Sequence, residues 1–100
     1  MNDLFALVLR EGAEELRLCA DECPLMIVQG TRRAIDASSL SRDDVAALLG
    51  SIATEDQLKE LHACGDIHFI YVFQNASRFA VIAKAQHEAF SLKARNIGFL

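Results

Sequence analysis

Four side chains could bind a soft metal or act as nucleophile and base: Cys19, Cys23, His62 and Cys64. A structural zinc site needs four such ligands at spacings that let them converge. Cys19 and Cys23 with His62-Ala-Cys64 match no common zinc pattern, and strand alternation turns Cys19 away from the apolar side of its segment. A thiolate nucleophile at Cys64 would need an oriented base and a third group to hold that base. His62, two residues away, is a neighbour in sequence only, and no orienting residue is apparent. His68 and His87 flank the ends of an apolar segment and read as solvent-facing. The paired carboxylates Asp43-Asp44 and Glu55-Asp56 fall in first turns of helices, where they complement the helix dipole. A phosphate loop needs closely spaced glycines followed by Lys and Ser or Thr. Gly12, Gly30, Gly50, Gly65 and Gly98 stand in no such motif, so this stretch is not a self-sufficient P-loop NTPase. We expect no catalytic residue, no cofactor and no metal.

The elements around these residues follow from periodicity. Asp3–Arg10 is expected to be a helix, with Asn2 or Asp3 as N-cap, Gly12 as its close, and Leu4, Leu7 and Val8 on its apolar side. Glu15–Ala20 alternates as a one-sided strand; Leu25–Gln29 is a short apolar strand after Pro24, and Arg32–Ile35 a weak return strand after Gly30. Ser41-Arg-Asp-Asp44 resembles a capping box with Asp in the last position, followed by Val45, Leu48, Leu49 and Ile52 at helical spacing. Thr54-Glu-Asp-Gln57 is a second box, opening a helix that buries Leu58 and Leu61 and ends at Gly65.

Asp66–Gln86 reads as two strands joined at Asn75-Ala-Ser77. Phe69, Tyr71 and Phe73 share one face with Phe79, Val81, Ala83 and Ala85. The opposite face is also apolar, at Ile70, Val72, Ala80 and Ile82. Phe90–Arg95 alternates as a last strand. The order α-β-β-β-α-α-β-β-β predicts an α+β domain, an antiparallel sheet with helices mainly on one face.

One hundred residues, 52% of them hydrophobic and one a proline, make a single domain over 1–100 with one core. The net charge of −4 favours neither nucleic acid nor an anionic membrane. No apolar run approaches the ~20 residues of a membrane span. The start lacks the basic region of a signal peptide, and three irregular cysteines make no disulfide framework, so a reducing cytosol is expected. Charge is uneven: Asp36–Asp66 holds seven acids and two bases, while Ile67 onward holds four bases and one acid. Such a division permits head-to-tail association, or is no more than ordinary solvated faces.

The landmarks in order resemble the N-terminal, PAS-like domain of PilT-like type IV pilus retraction ATPases and their type II secretion relatives. Gly12-Ala-Glu-Glu-Leu-Arg-Leu18, Pro24 with Gly30, Leu40–Val45 with Leu48-Leu49, Ile52–Gln57, Gly65–Tyr71, Arg78-Phe79-Ala-Val81 and Gln86 carry the resemblance. It implies a PAS-like sheet that precedes a RecA-like ATPase core, packs on a neighbouring subunit, and helps form a hexameric ring in bacterial twitching motility or secretion. In that family arginines of the domain reach the nucleotide phosphates. Here Ile27, Ala80 and Ile82 stand where the family carries two basic residues and an amide; Arg78 remains as a phosphate-side candidate. An aliphatic group replaces none of a guanidinium's charge-assisted bonds.

These departures make Ile70, Val72, Ala80 and Ile82 a candidate interface, unless a helix of the chain, such as the N-terminal one, covers it. Exposed patches of this kind mark interfaces. The expected function is a non-catalytic assembly domain, a homo-oligomer that packs on itself or on pilus or secretion ATPase subunits in the cytoplasm. The chain would be part of a complete motor or a short relative without the core. The alternative is a PAS-like sensor of a small ligand near His68, Tyr71 and Gln74.

Overall fold

The computed structural model describes residues 1–35, 38–86 and 89–99 and, at Phe99, the backbone alone. The elements are α1 (Asn2–Arg10), β1 (Glu15–Cys19), β2 (Leu25–Val28), β3 (Thr31–Ala34), α2 (Arg42–Gly50), α3 (Glu55–Cys64), β4 (Asp66–Phe73), β5 (Ser77–Gln86) and β6 (Ala89–Phe99). All strands join one antiparallel sheet in the order β3-β2-β1-β6-β5-β4. This is the expected α+β, PAS-like arrangement.

Local chemistry sets the helix ends. In α2, Ser41 Oγ accepts the Asp44 N–H while the Ser41 N–H donates to Asp44 Oδ2, both at 3.0 Å. In α3, Thr54 and Gln57 close the same reciprocal box at 3.2 and 2.9 Å. Each box satisfies two amide donors that the helix itself cannot. Gly65 caps α3 at φ +88°, a left-handed position that glycine adopts without steric cost.

The start of α1 differs from expectation. Met1 is the N-cap, its carbonyl accepting the Leu4 and Phe5 amides, and Asn2 is already helical. No side chain caps this end, so Asp3 acts only through first-turn charge. The close is a Schellman motif. Ala13 N–H reaches Val8 O at 2.9 Å and Gly12 N–H reaches Leu9 O at 3.3 Å, with Gly12 at φ +65° one residue beyond the cap Glu11.

Asp44 links this local structure to pH. Its hydrogen bonds from the Ser41 backbone and side chain hold its carboxyl below the ordinary value of 3.8. A lowered folded-state pKa stabilises fully above the unfolded value and is lost as pH falls through the folded one. We therefore expect α2 to weaken only below about pH 4 through this group, and Asp44→Asn to remove that acid limb. Urea unfolding across acid pH checks this; an unchanged acid limb in the variant contradicts it.

The core lies between the sheet and the three helices. Phe5 is fully buried, its ring stacked on Phe79 at 4.3 Å and on Tyr71 at 5.5 Å, and tilted against Phe73 at 5.6 Å. Val8, Leu16, Leu18, Leu49, Leu61 and Leu92 complete the same layer. Inward residues alternate along each strand, as Ile67, Phe69, Tyr71 and Phe73 do on β4 and Phe79, Val81 and Ala83 on β5.

Strand limits shift by one residue from the expected ones in β1, β2 and β3. The β4–β5 turn is Gln74–Ala76 rather than Asn75–Ser77. Gln74 and Asn75 lie at φ 53° and 55°, and the Ala76 N–H reaches Phe73 O. That is a primed turn, whose twist suits a hairpin. The larger correction is β6, which runs to Phe99 instead of stopping at Arg95. Asn96 and Gly98 end the apolar alternation in the sequence, yet pairing with β5 continues past them. A register shift opposite Arg78/Phe79 leaves Ile97 as the extra residue of a bulge. Asn96 Oδ1 accepts the Gly98 N–H at 2.9 Å across it.

Candidate protein-docking face

The helices all contact one side of the sheet, α1 through β1, α2 through β1 and β6, and α3 through β4 and β5. α1 therefore does not cover the second face of the β4–β5 hairpin; Phe5 places it on the first. Among the described residues, no helix lies over the second face.

Strand register determines what that face displays. Ile70 is paired with Ala80, Val72 with Arg78, and His68 with Ile82. Across β5, Ala80 is paired with Arg95, Ile82 with Lys93, and Lys84 with Ser91. The four apolar side chains named from sequence thus share one face, but cations and His68 are interleaved with them. Ile70 is 55% exposed and Val72 40%, while Ala80 and Ile82 are half-buried by their neighbours. Ile97, which sequence reading missed, adds a third large exposed apolar side chain at 41%. Its signal was the Asn-Ile-Gly interruption.

The basic residues also gather here. Alternation from the paired positions puts Arg17, Arg32, Arg78, Lys84, Lys93 and Arg95 on this side, against the acids Glu15 and Asp66. Glu15 is taken by Arg17, whose Nε lies 2.7 Å from its Oε2. Among the described residues, no ion pair involves Arg78, Lys84, Lys93 or Arg95. The Nε of Arg78 is buried without a hydrogen-bond partner. A shallow groove of about 730 Å³ runs along β5 and β6, lined by Ala80, Ile82, Lys93, Arg95, Asn96 and Ile97 with Glu15 at its end. Ile27 also lies on this side, opposite Glu15 and Arg32. The positions where the resemblance led us to look for phosphate-side groups are therefore on one face.

The other candidates separate. Cys19 is on the open side, opposite Ser91. Burial first, and then the Glu22 carboxylate, push its thiol above the ordinary value, which disfavours the reactive thiolate. Cys64 is exposed at the end of α3, and His62 meets Phe90 edge-on at 5.5 Å. No group of three or more metal-binding side chains assembles among the described residues. Tyr71 is stacked inside on Phe5, His68 lies on the open face and Gln74 is in the turn, so the three do not converge. A separate groove of about 440 Å³ lies on the helical side, between Ala46, Leu61, His62, Ala85 and Phe90. His87 lies outside the described residues. No described helix is long and apolar enough to cross a membrane.

Two solved structures share this architecture. The pilus retraction motor PilT with bound ADP superposes with a TM-score of 0.85 at 20% identity, over 95% of this chain and 28% of PilT's. The ATPase DotB of Legionella pneumophila gives 0.85 at 24% identity, over 97% of this chain and 28% of DotB's. The fold is PilT-like. The expected resemblance thus holds for the fold of nearly the whole chain, which spans little more than a quarter of either ATPase. No family model matches the sequence, and no curated protein sequence matches it. In the PilT-like fold of this chain, Ile27, Ala80 and Ile82, the positions where the resemblance led us to expect basic and amide groups, all lie on the open sheet face.

Proposed function

We propose that this chain is a non-catalytic assembly domain of the pilus and secretion ATPase type, which docks on a protein surface through its open sheet face. Its setting in this reading is the cytoplasmic side of a type IV pilus or type II secretion system. The single observation that carries it is the one-sided fold: three helices on one side, and on the other Ile70, Val72, Ala80 and Ile82 without an intrachain cover among the described residues. Burying such side chains yields roughly 25 cal/mol per Å² of apolar area, so a few of them contribute a few kcal/mol. Arg78 supports the same reading, because a buried donor left unpaired costs about 1–3 kcal/mol until a partner supplies an acceptor. The PilT-like fold supports the setting. Nucleotide chemistry belongs, in this reading, to a RecA-like core and not to these 100 residues.

Ile82→Arg tests it. Ile82 is half-buried on the open face and arginine there can carry its charge to solvent, so the fold should survive with a loss of about 1 kcal/mol. Association should weaken at least about tenfold, or ~1.4 kcal/mol. Sedimentation velocity over a concentration series reads the difference. Wild type and variant both monomeric throughout would overturn the docking role for self-assembly.

A further inference from the structure

We infer that the occupant of the open sheet face is the helical layer of a second copy of this chain, so that copies stack head to tail. The inference rests on the docking role above and adds the partner and the geometry.

Charge is segregated by layer. The helices α1–α3 carry six acidic and three basic side chains, five of the acids being Asp43, Asp44, Glu55, Asp56 and Glu60 on α2 and α3. Among the described residues, the open sheet face carries six basic and two acidic ones, by the register given above. The uneven charge along the chain is thus an uneven charge through the thickness of the molecule. A net of −4 for the whole chain hides a cationic side.

This layout discriminates between the two ways copies can meet. A symmetric sheet-to-sheet pair would set the cationic face that holds Arg78, Lys93 and Arg95 against the same face of the other copy, with like charges juxtaposed as apolar contacts form. A head-to-tail contact sets the same cations against the acids of the helical layer. That layer also offers an apolar receptor, a groove of about 450 Å³ lined by Met1, Leu40, Ala47 and Leu48 with Asp44 on its rim. Ile70 and Val72 with the adjoining Arg78 present the matching pattern of apolar side chains beside a cation. Size is adequate as well. The molecule measures 34 × 32 × 20 Å, so each broad face exceeds the about 800 Å² that a standard interface takes from each partner.

Because the two contacting surfaces differ, each copy keeps one face free after pairing, and association continues beyond two. The contact is also sensitive to salt, since the screening length falls from ~30 Å at 0.01 M to ~3 Å at 1 M.

The test uses near-isosteric neutralisation, which leaves the fold intact. Lys93→Gln/Arg95→Gln weakens the sheet face only; Asp43→Asn/Glu60→Gln weakens the helical face only and spares the Asp44 cap. Sedimentation velocity at low and high salt is run on wild type, each variant alone, and their equal mixture, with circular dichroism melting to confirm folding. Wild type should grow past the dimer at low salt and shrink at high salt. Each variant alone should lose at least about tenfold in affinity. Their mixture, with one unaltered pair of faces, should form dimers and stop there. If the helix-face variant associates as well as wild type, copies meet sheet to sheet: head-to-tail stacking is overturned and the docking role stands. If wild type is monomeric at every salt concentration, head-to-tail stacking is overturned, and with it the docking role for self-assembly.

Discussion

Phe5→Ala should lower folding stability by about 3–5 kcal/mol, the loss typical of a buried aromatic removed from a core. Phe5 is fully buried, and its ring touches three others from two strands, at 4.3 Å from Phe79, 5.5 Å from Tyr71 and 5.6 Å from Phe73. It is the side chain through which α1 is fixed to the β4–β5 hairpin. Alanine leaves a cavity that α1 can close only by sliding across the sheet, which would pull Val8 from its own site. A small domain holds about 5–15 kcal/mol in all, so the variant is expected to be marginal. At about 4–8 °C per kcal/mol the melting midpoint should fall by roughly 15–30 °C. Calorimetry reads this directly, and a fall of only a few degrees would mean that α1 contributes little to the core.

Leu61→Ala should cost about 2–5 kcal/mol, with a different distribution of the loss. Leu61 is the fully buried residue of α3, and Leu58 is only half-buried beside it. The helix keeps its own devices, the Thr54/Gln57 box and the Gly65 cap, so its backbone has no local reason to unwind. What it loses is its anchor on β4 and β5. Hydrogen exchange should therefore show the amides of Leu58–Cys64 opening well before those of β5, a local transition below the global one. Uniform loss of protection across helix and sheet would show instead that α3 and the sheet open as one unit. Leu61 also floors the groove beside His62 and Phe90, which should enlarge in the variant.

What could be read from sequence was the chemistry that acts over a few residues. The Ser41 and Thr54 boxes, the glycine after α3 and the two faces of the hairpin each depend on groups within a turn or a pleat of one another, and each formed where expected. The side of the sheet taken by α1 did not belong to that class, because it depends on Phe5 meeting Phe73 and Phe79 some seventy residues later. The same holds for the docking face. Ile70, Val72, Ala80 and Ile82 could be put on one side from alternation alone. Lys93 and Arg95 could be put on one side of their own strand. Only the β5–β6 register shows that Ile82 meets Lys93 and Ala80 meets Arg95, which changes an apolar patch into an amphipathic one. The end of β6 was hidden for another reason: a bulge at Ile97 breaks the two-residue period while leaving the strand paired.

The position of β6 has a consequence for the order in which the molecule is made. It lies between β1 and β5, in the middle of the sheet, although it is the last of the six described strands in sequence. Its pairing joins Glu15 to Arg95, one of the longest sequence separations in the fold. Without residues 89–99 no strand pairing links β1–β3 to β4–β5, and both β1 and β5 would be bare edges. Long-range pairing of this kind is slow, and open edges in the interval are sites for pairing with another chain. During synthesis the sheet can therefore be completed only once residues 89–99 are available to fill the place between β1 and β5.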